Sequence, residues 1–152
     1  MHLSTLDSYT YQAREAGDES VGDLLADALI EEIMKHEGPV YIVDQGWSLG
    51  RRESRPRARI LEAIQGRPIE WIRFDENTDD WDEFEHELID RLRQDKIKKV
   101  AVGGIWYQDD FGGGCATELF LILKKYFPTQ VIDRILGKET DIEEIWEEEN
   151  ED

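Results

Sequence analysis

VAVGGIWY (Val100 to Tyr107), QDDFGGG (Gln108 to Gly114) and CATELFLILKKYF (Cys115 to Phe127) follow one another without a break. The first stretch is apolar at successive positions, so it reads as a strand buried on both faces. The last is apolar over most of its length and long enough for a helix, with Pro128 closing it. Three consecutive glycines stand between them. A buried strand, a glycine-rich turn and an apolar helix together make the repeating unit of a parallel sheet.

The same alternation runs upstream. After Ser20, the residues Val21, Leu24, Leu25, Ala28, Leu29 and Ile33 recur at helical spacing. Asp23 completes a capping box there, and Gly38-Pro39 supplies the stop. VYIVD (Val40 to Asp44) reads as a short buried strand. Ser54 to Gln65 reads as a helix with Ile60, Leu61 and Ile64 inward. IEWIRF (Ile69 to Phe74) is a second strand. Thr78 and Asp79 then cap a helix carrying Trp81, Phe84, Leu88, Ile89 and Leu92 on one stripe. Downstream, QVIDRIL (Gln130 to Leu136) makes a last strand. The opening residues HLSTLD read as extended, with a short strand from His2 to Leu6. The expected fold is therefore α/β, with three α-β-α layers and one mainly parallel sheet covered by helices on both faces. Residues 1–138 form its single domain. Residues 139–152 form an acidic tail in which Ile142, Ile145 and Trp146 can dock a turn or two of helix.

Charge narrows the function. Of 152 residues, 36 are acidic and 18 basic, a formal net charge of −18. Nucleic-acid backbones and anionic membranes are bound by Lys/Arg surfaces, so neither is an expected partner. The charge serves solubility, or recruits a basic partner. The single cysteine cannot form an internal disulfide, which fits a reducing compartment or a functional thiol. The chain shows neither an apolar run of membrane-spanning length nor a secretory signal, so the expected location is the cytoplasm. The five tryptophans and the long apolar helix exceed what a chain this small needs for its core. That surplus predicts a homo-oligomer.

Ligands of parallel sheets bind at the carboxyl ends of the strands. At the end of the most apolar strand stand Asp109, Asp110, Gly113, Gly114 and Cys115. Glycines let a ligand approach the main chain. A helix opening near Cys115 presents free N–H groups and a positive dipole end, which stabilise a thiolate and can hold an oxyanion. The bland alternative, Cys115 as a small core residue, carries nearly equal weight.

In the order of these parts the chain resembles the isochorismatase-like family of cysteine hydrolases. An extended segment ends in Asp7, a helix leads to PVYIVD, and a helix feeds KIKKVAVGGI before the loop with its cysteine. The resemblance spans roughly Leu3 to Leu136 and rests on architecture more than motif. It implies a Rossmann-like sheet and a triad of Asp, Lys and Cys acting on a small amide or related C–N bond. It assigns Cys115 as nucleophile and Asp7 as base; a second alignment uses Asp44. Where the family carries lysine, this chain has Arg73, beside Asp75 and Glu76. Its loop is also longer, and Ala116 follows the cysteine in place of a larger aliphatic residue. The resemblance implies a small-molecule substrate and no cofactor.

GGGCATEL also loosely resembles the Gly-Gly, Thr and Glu cluster of nucleotide-handling families such as the cytokinin-activating phosphoribohydrolases. That reading puts Glu118 at a glycosidic bond, with Thr117 nearby; otherwise Glu118 is an ordinary first-turn helix acid. A third reading is non-catalytic, an assembly module that kept the fold without the lysine. The cluster Arg51, Arg52, Arg55, Arg57 and Arg59 can bind a substrate anion or pair with surface acids. His2, His36 and His86 are scattered, so no metal site is expected.

Overall fold

The computed structural model describes residues 3–45, 55–74, 80–105 and 115–149. In chain order these form α1 (Leu3–Ala16), α2 (Ser20–Lys35), β1 (Val40–Gln45), α3 (Arg55–Ala63), β2 (Ile69–Phe74), α4 (Trp81–Gln94), β3 (Val100–Ile105), α5 (Cys115–Lys124), β4 (Thr129–Gly137) and α6 (Glu139–Glu149). The protein is thus mixed α/β.

The four expected strands are present, and each paired strand runs parallel to its neighbour. They do not form one sheet. β1 pairs with β2 and β3 with β4, giving two parallel two-stranded sheets among the described residues. Periodicity identifies a strand but says nothing of which edge meets which, and that is where the single-sheet expectation parts from the structure.

The chain's opening is the second correction. Residues 3–16 are helical, so Leu3 to Leu6 are not the expected strand; His2 lies outside the described residues. Leu6, Tyr9, Ala13 and Ala16 fall on one face and are buried, a spacing of three and four that marks a helix. Gly17, at φ 118°, ends it, and the Gly17 and Asp18 amides both bond the Ala13 carbonyl at 3.1 and 3.0 Å.

α2 starts at Ser20 as expected but without the capping box. Asp18 accepts from both the Ser20 amide (3.0 Å) and the Ser20 hydroxyl (2.5 Å). Asp23 instead pairs across to α3, 3.3 Å from Arg59 and 3.9 Å from Arg55. α4 is capped by Asp80, whose carboxylate accepts from the Asp82 amide at 3.0 Å; Thr78 and Asp79 lie outside the described residues. Its far end closes on Lys96 at φ 59°, with Ile97 N–H bonding Leu92 O and Lys96 N–H bonding Arg93 O, both at 3.0 Å. This is a Schellman closure with lysine where glycine is usual.

Two apolar clusters hold the elements together. The larger joins α1, α2, α3 and α6 to Ile42 of β1 and Ile135 of β4, with Ile69 of β2 and Ile132 of β4 half-buried against it. The second joins α4 and α5 to Val43 of β1 and Val102 of β3, with Tyr41, Val100 and Val131 alongside. Successive strand residues therefore serve opposite clusters, as the strand period of two requires. α6 docks through Ile142 and Ile145, both buried, and through Tyr9, whose hydroxyl donates to Asp141 Oδ2 at 2.8 Å.

β3 and β4 change register midway. Val102 sits opposite Val131, but Gly104 sits opposite Leu136. The extra β4 residues bulge over β3 and lay Ile135 on Gly103. A Cβ at Gly103 would meet the Ile135 side chain at once, down to its Cβ at 3.3 Å. Gly103 is needed for this approach, and Gly104 for its φ of 135°.

Candidate functional site

β1 and β2 begin in register, Val40 beside Ile69, and stay so to their ends. Asp44 and Arg73, each the fifth residue of its strand, are consequently register partners. Parallel partners lie about 4.8 Å apart along the hydrogen-bonding direction and share a face of the sheet. The backbone thus sets Asp44 and Arg73 at neighbouring positions near the carboxyl end of this sheet.

On the other sheet, Val100–Ile105 leads through residues 106–114 to Cys115, the first residue of α5. α5 packs back on β3 and β4, so its N-terminus returns toward the strand it follows. Ala116 and Thr117, in its first turn, are buried at 4% and 6% exposed. Glu118, also in the first turn, is exposed. Asp109, Asp110, Gly113 and Gly114 lie outside the described residues, as do Asp75 and Glu76. Asp7 occupies the middle of α1; the extended segment that would have delivered it to a strand end does not exist.

The arginine cluster divides. Arg55 and Arg59 pair with Asp23, and Arg59 also with Asp27, all within the same chain. The Asp27 and Asp23 carboxylates hold the Arg59 guanidinium above its usual pKa. These residues brace α3 against α2. Arg51 and Arg52 are outside the described residues.

An apolar cleft of about 360 Å³ separates the two sheets. Its walls include Val40 to Val43 of β1 and Val100 to Gly103 of β3. Composition could not reveal it, because it lies between elements whose pairing the sequence leaves open. The Tyr41 hydroxyl, from β1, donates to Asp95 Oδ2 at 2.6 Å, at the end of α4. Partial burial and then the hydrogen bond to Asp95 push the Tyr41 phenol up to about 12. Among the described residues, no group of three or more His, Cys, Asp and Glu gathers to hold a metal ion, and no helix is long and apolar enough to cross a membrane.

No family model, curated protein or solved structure matches this chain.

Proposed function

We propose that the chain is a cysteine hydrolase of a small amide or related C–N substrate, built on a three-layer, Rossmann-like frame of the isochorismatase-like kind. The observation that carries this reading is the register of Asp44 with Arg73 at the end of β1 and β2, together with Cys115 at the start of α5. The frame is supported by the two apolar clusters, which take alternate strand residues to opposite sets of helices. Asp44 replaces Asp7 as the preferred base, since Asp7 is a mid-helix residue and Asp44 a strand-end one.

In the proposed reaction the Cys115 thiol gives its proton to the Asp44 carboxylate. The sulfur bonds the substrate carbonyl carbon, and the displaced oxygen charge is held by free N–H groups at the start of α5. The C–N bond then breaks, and the amine leaves with the proton Asp44 returns. Water attacks the thioester, releasing the carboxylic acid and restoring the thiol. Arg73 takes the lysine's place. Arg73, the register partner of Asp44, offsets the single negative charge as it passes from the carboxylate to the sulfur with the proton transfer. Asp109 and Asp110 orient the substrate. The enzyme works in the reducing cytoplasm as a homo-oligomer, joined through apolar side chains exposed on the helices, Leu24 and Trp146 among them.

Iodoacetamide labelling of the native protein across pH tests the thiol. The expected apparent pKa is below the ~8.5 of a free cysteine. Asp44→Asn slows the labelling at neutral pH, and Asp7→Asn leaves it unchanged. A native protein whose thiol labels only in denaturant ends the hydrolase reading. Glu118, exposed in the first turn of α5, supports one alternative, a nucleotide or nucleoside-derivative site. Stabilisation by nucleoside monophosphates that Glu118→Gln abolishes would favour it. Failure of both tests leaves the non-catalytic module.

A further inference from the structure

Among the described residues, β1 pairs with β2 alone and β3 with β4 alone. The other edges of β1 and β3 line the same cleft. In a parallel pair, alternate residues turn both N–H and C=O toward the partner, so about half of each strand's polar backbone groups point the other way. Those groups line a mainly apolar cleft, walled by side chains such as Leu29, Leu88 and Leu123, with Glu32, His36 and Lys99 also in its lining. A parallel ladder would give the groups on both edges partners within the protein. Two facing rows of such groups are best satisfied by each other.

The faces agree. Tyr41 and Val43 of β1 belong to the α4/α5 cluster, as do Val100 and Val102 of β3. Ile42 belongs to the α1/α2 cluster. Neighbours in a sheet must send side chains of one face to one side, and these two strands already do. α1 touches both β1 and β3, so one helix spans the gap. The Tyr41–Asp95 bond fixes the start of β1 near the segment that enters β3. That selects one register among those that keep the faces matched.

We infer that β1 and β3 close the cleft by pairing in parallel, with Tyr41 beside Val100 and Val43 beside Val102, giving one sheet of order β2-β1-β3-β4. In that order the winding reverses between β1 and β3, and the crevice at such a reversal is where parallel sheets bind ligands. Closure therefore brings the end of β1, with Asp44, beside the end of β3, from which the chain runs to Cys115. Ligand binding there and strand pairing favour one another. The inference rests on the hydrolase reading only for what the crevice does; the pairing stands on the packing.

Solution NMR of the labelled full chain tests it. The expected result is interstrand Hα–HN contacts and through-hydrogen-bond couplings linking residues 41–44 to 100–103. Amide exchange should be slow at successive residues of both strands. Absent cross-strand contacts, with every second amide of β1 and β3 exchanging at nearly solvent rate, would overturn the inference. Thiol titration on the same sample separates the two claims. Paired strands with an inert thiol retire the hydrolase and keep the sheet. A reactive thiol with unpaired strands retires the sheet and, with it, Asp44 as the base, while Cys115 stands as the nucleophile.

Discussion

Replacing Tyr9 by Phe removes one oxygen from a side chain that is 2% exposed. That oxygen donates to Asp141 Oδ2 at 2.8 Å, and the same carboxylate oxygen accepts the Lys138 amide at 3.0 Å. The pair ties α1 to α6. A hydrogen bond to a charged group contributes about 1.5–3 kcal/mol, and the retained Lys138 contact argues for the lower half of that range. Burial, then the Asp141 charge and the hydrogen bond to it, raise the Tyr9 phenol well above its ordinary value. An unfolded tyrosine loses its proton near pH ~10, while the folded one keeps it. Above that pH the unfolded state binds fewer protons than the native state, so stability falls as pH rises, by about 1.4 kcal/mol per unit. The tyrosine's contribution is complete below pH ~10 and is lost from there toward the folded pKa. Phenylalanine has no such limb. Urea unfolding followed by far-UV circular dichroism should show Tyr9→Phe less stable by about 2 kcal/mol at pH ~8 and by under about 1 kcal/mol at pH ~11. Every other ionisable group is common to the two proteins and cancels in the difference. A deficit equal at the two pH values would refute the buried-phenol argument; no deficit at the lower pH would refute the tie itself.

Gly103→Ala drives a methyl group into Ile135 and should cost about 1–3 kcal/mol. In a double-mutant cycle Ile135→Ala should absorb most of that cost, and additive effects would count against the packing. Lys96→Gly relieves the left-handed closure of α4 at φ 59° and should stabilise by up to about 1 kcal/mol. Calorimetry should register that as a rise in Tm of roughly 2–4 °C. Asp80→Ala removes the cap on the Asp82 amide and should lower stability by about 1 kcal/mol, with Asp80→Asn or Asp80→Ser nearly neutral in the same denaturation assay.

The legible part of the fold was the part written in periodicity. Val21, Leu25 and Leu29 repeat at helical spacing; VYIVD and IEWIRF are short, apolar and bounded by turns. The opening helix was written in the same code. Leu6, Tyr9, Ala13 and Ala16 keep the interval, but the β-branched and aromatic residues of the same segment, Thr5, Tyr9, Thr10 and Tyr11, favour strands. Burial of one face outweighs that preference, and local propensity is the weaker force. Strand pairing was a different kind of question. A parallel partner is separated by a whole helix, so nothing within a window of ten residues reports on it.

The candidate site follows the same division. Asp44 and Arg73 were each visible as polar residues ending an apolar strand, and each entered the reading for a separate reason. Their relation was also in the sequence, since both are fifth in strands that start in register. It becomes readable once β1 and β2 are known to be partners, because parallel register carries position one into position one and five into five. The base shifts for a related reason. A mid-helix acid such as Asp7 can meet a strand-end site only by the side chain it happens to project, whereas a strand's last residues are delivered to the crevice by the sheet itself. The chemistry proposed for Cys115 therefore depends less on any single residue than on whether β1 and β3 end side by side. That single fact determines whether the Asp44–Arg73 pair and the thiol belong to one site or to two ends of a cleft.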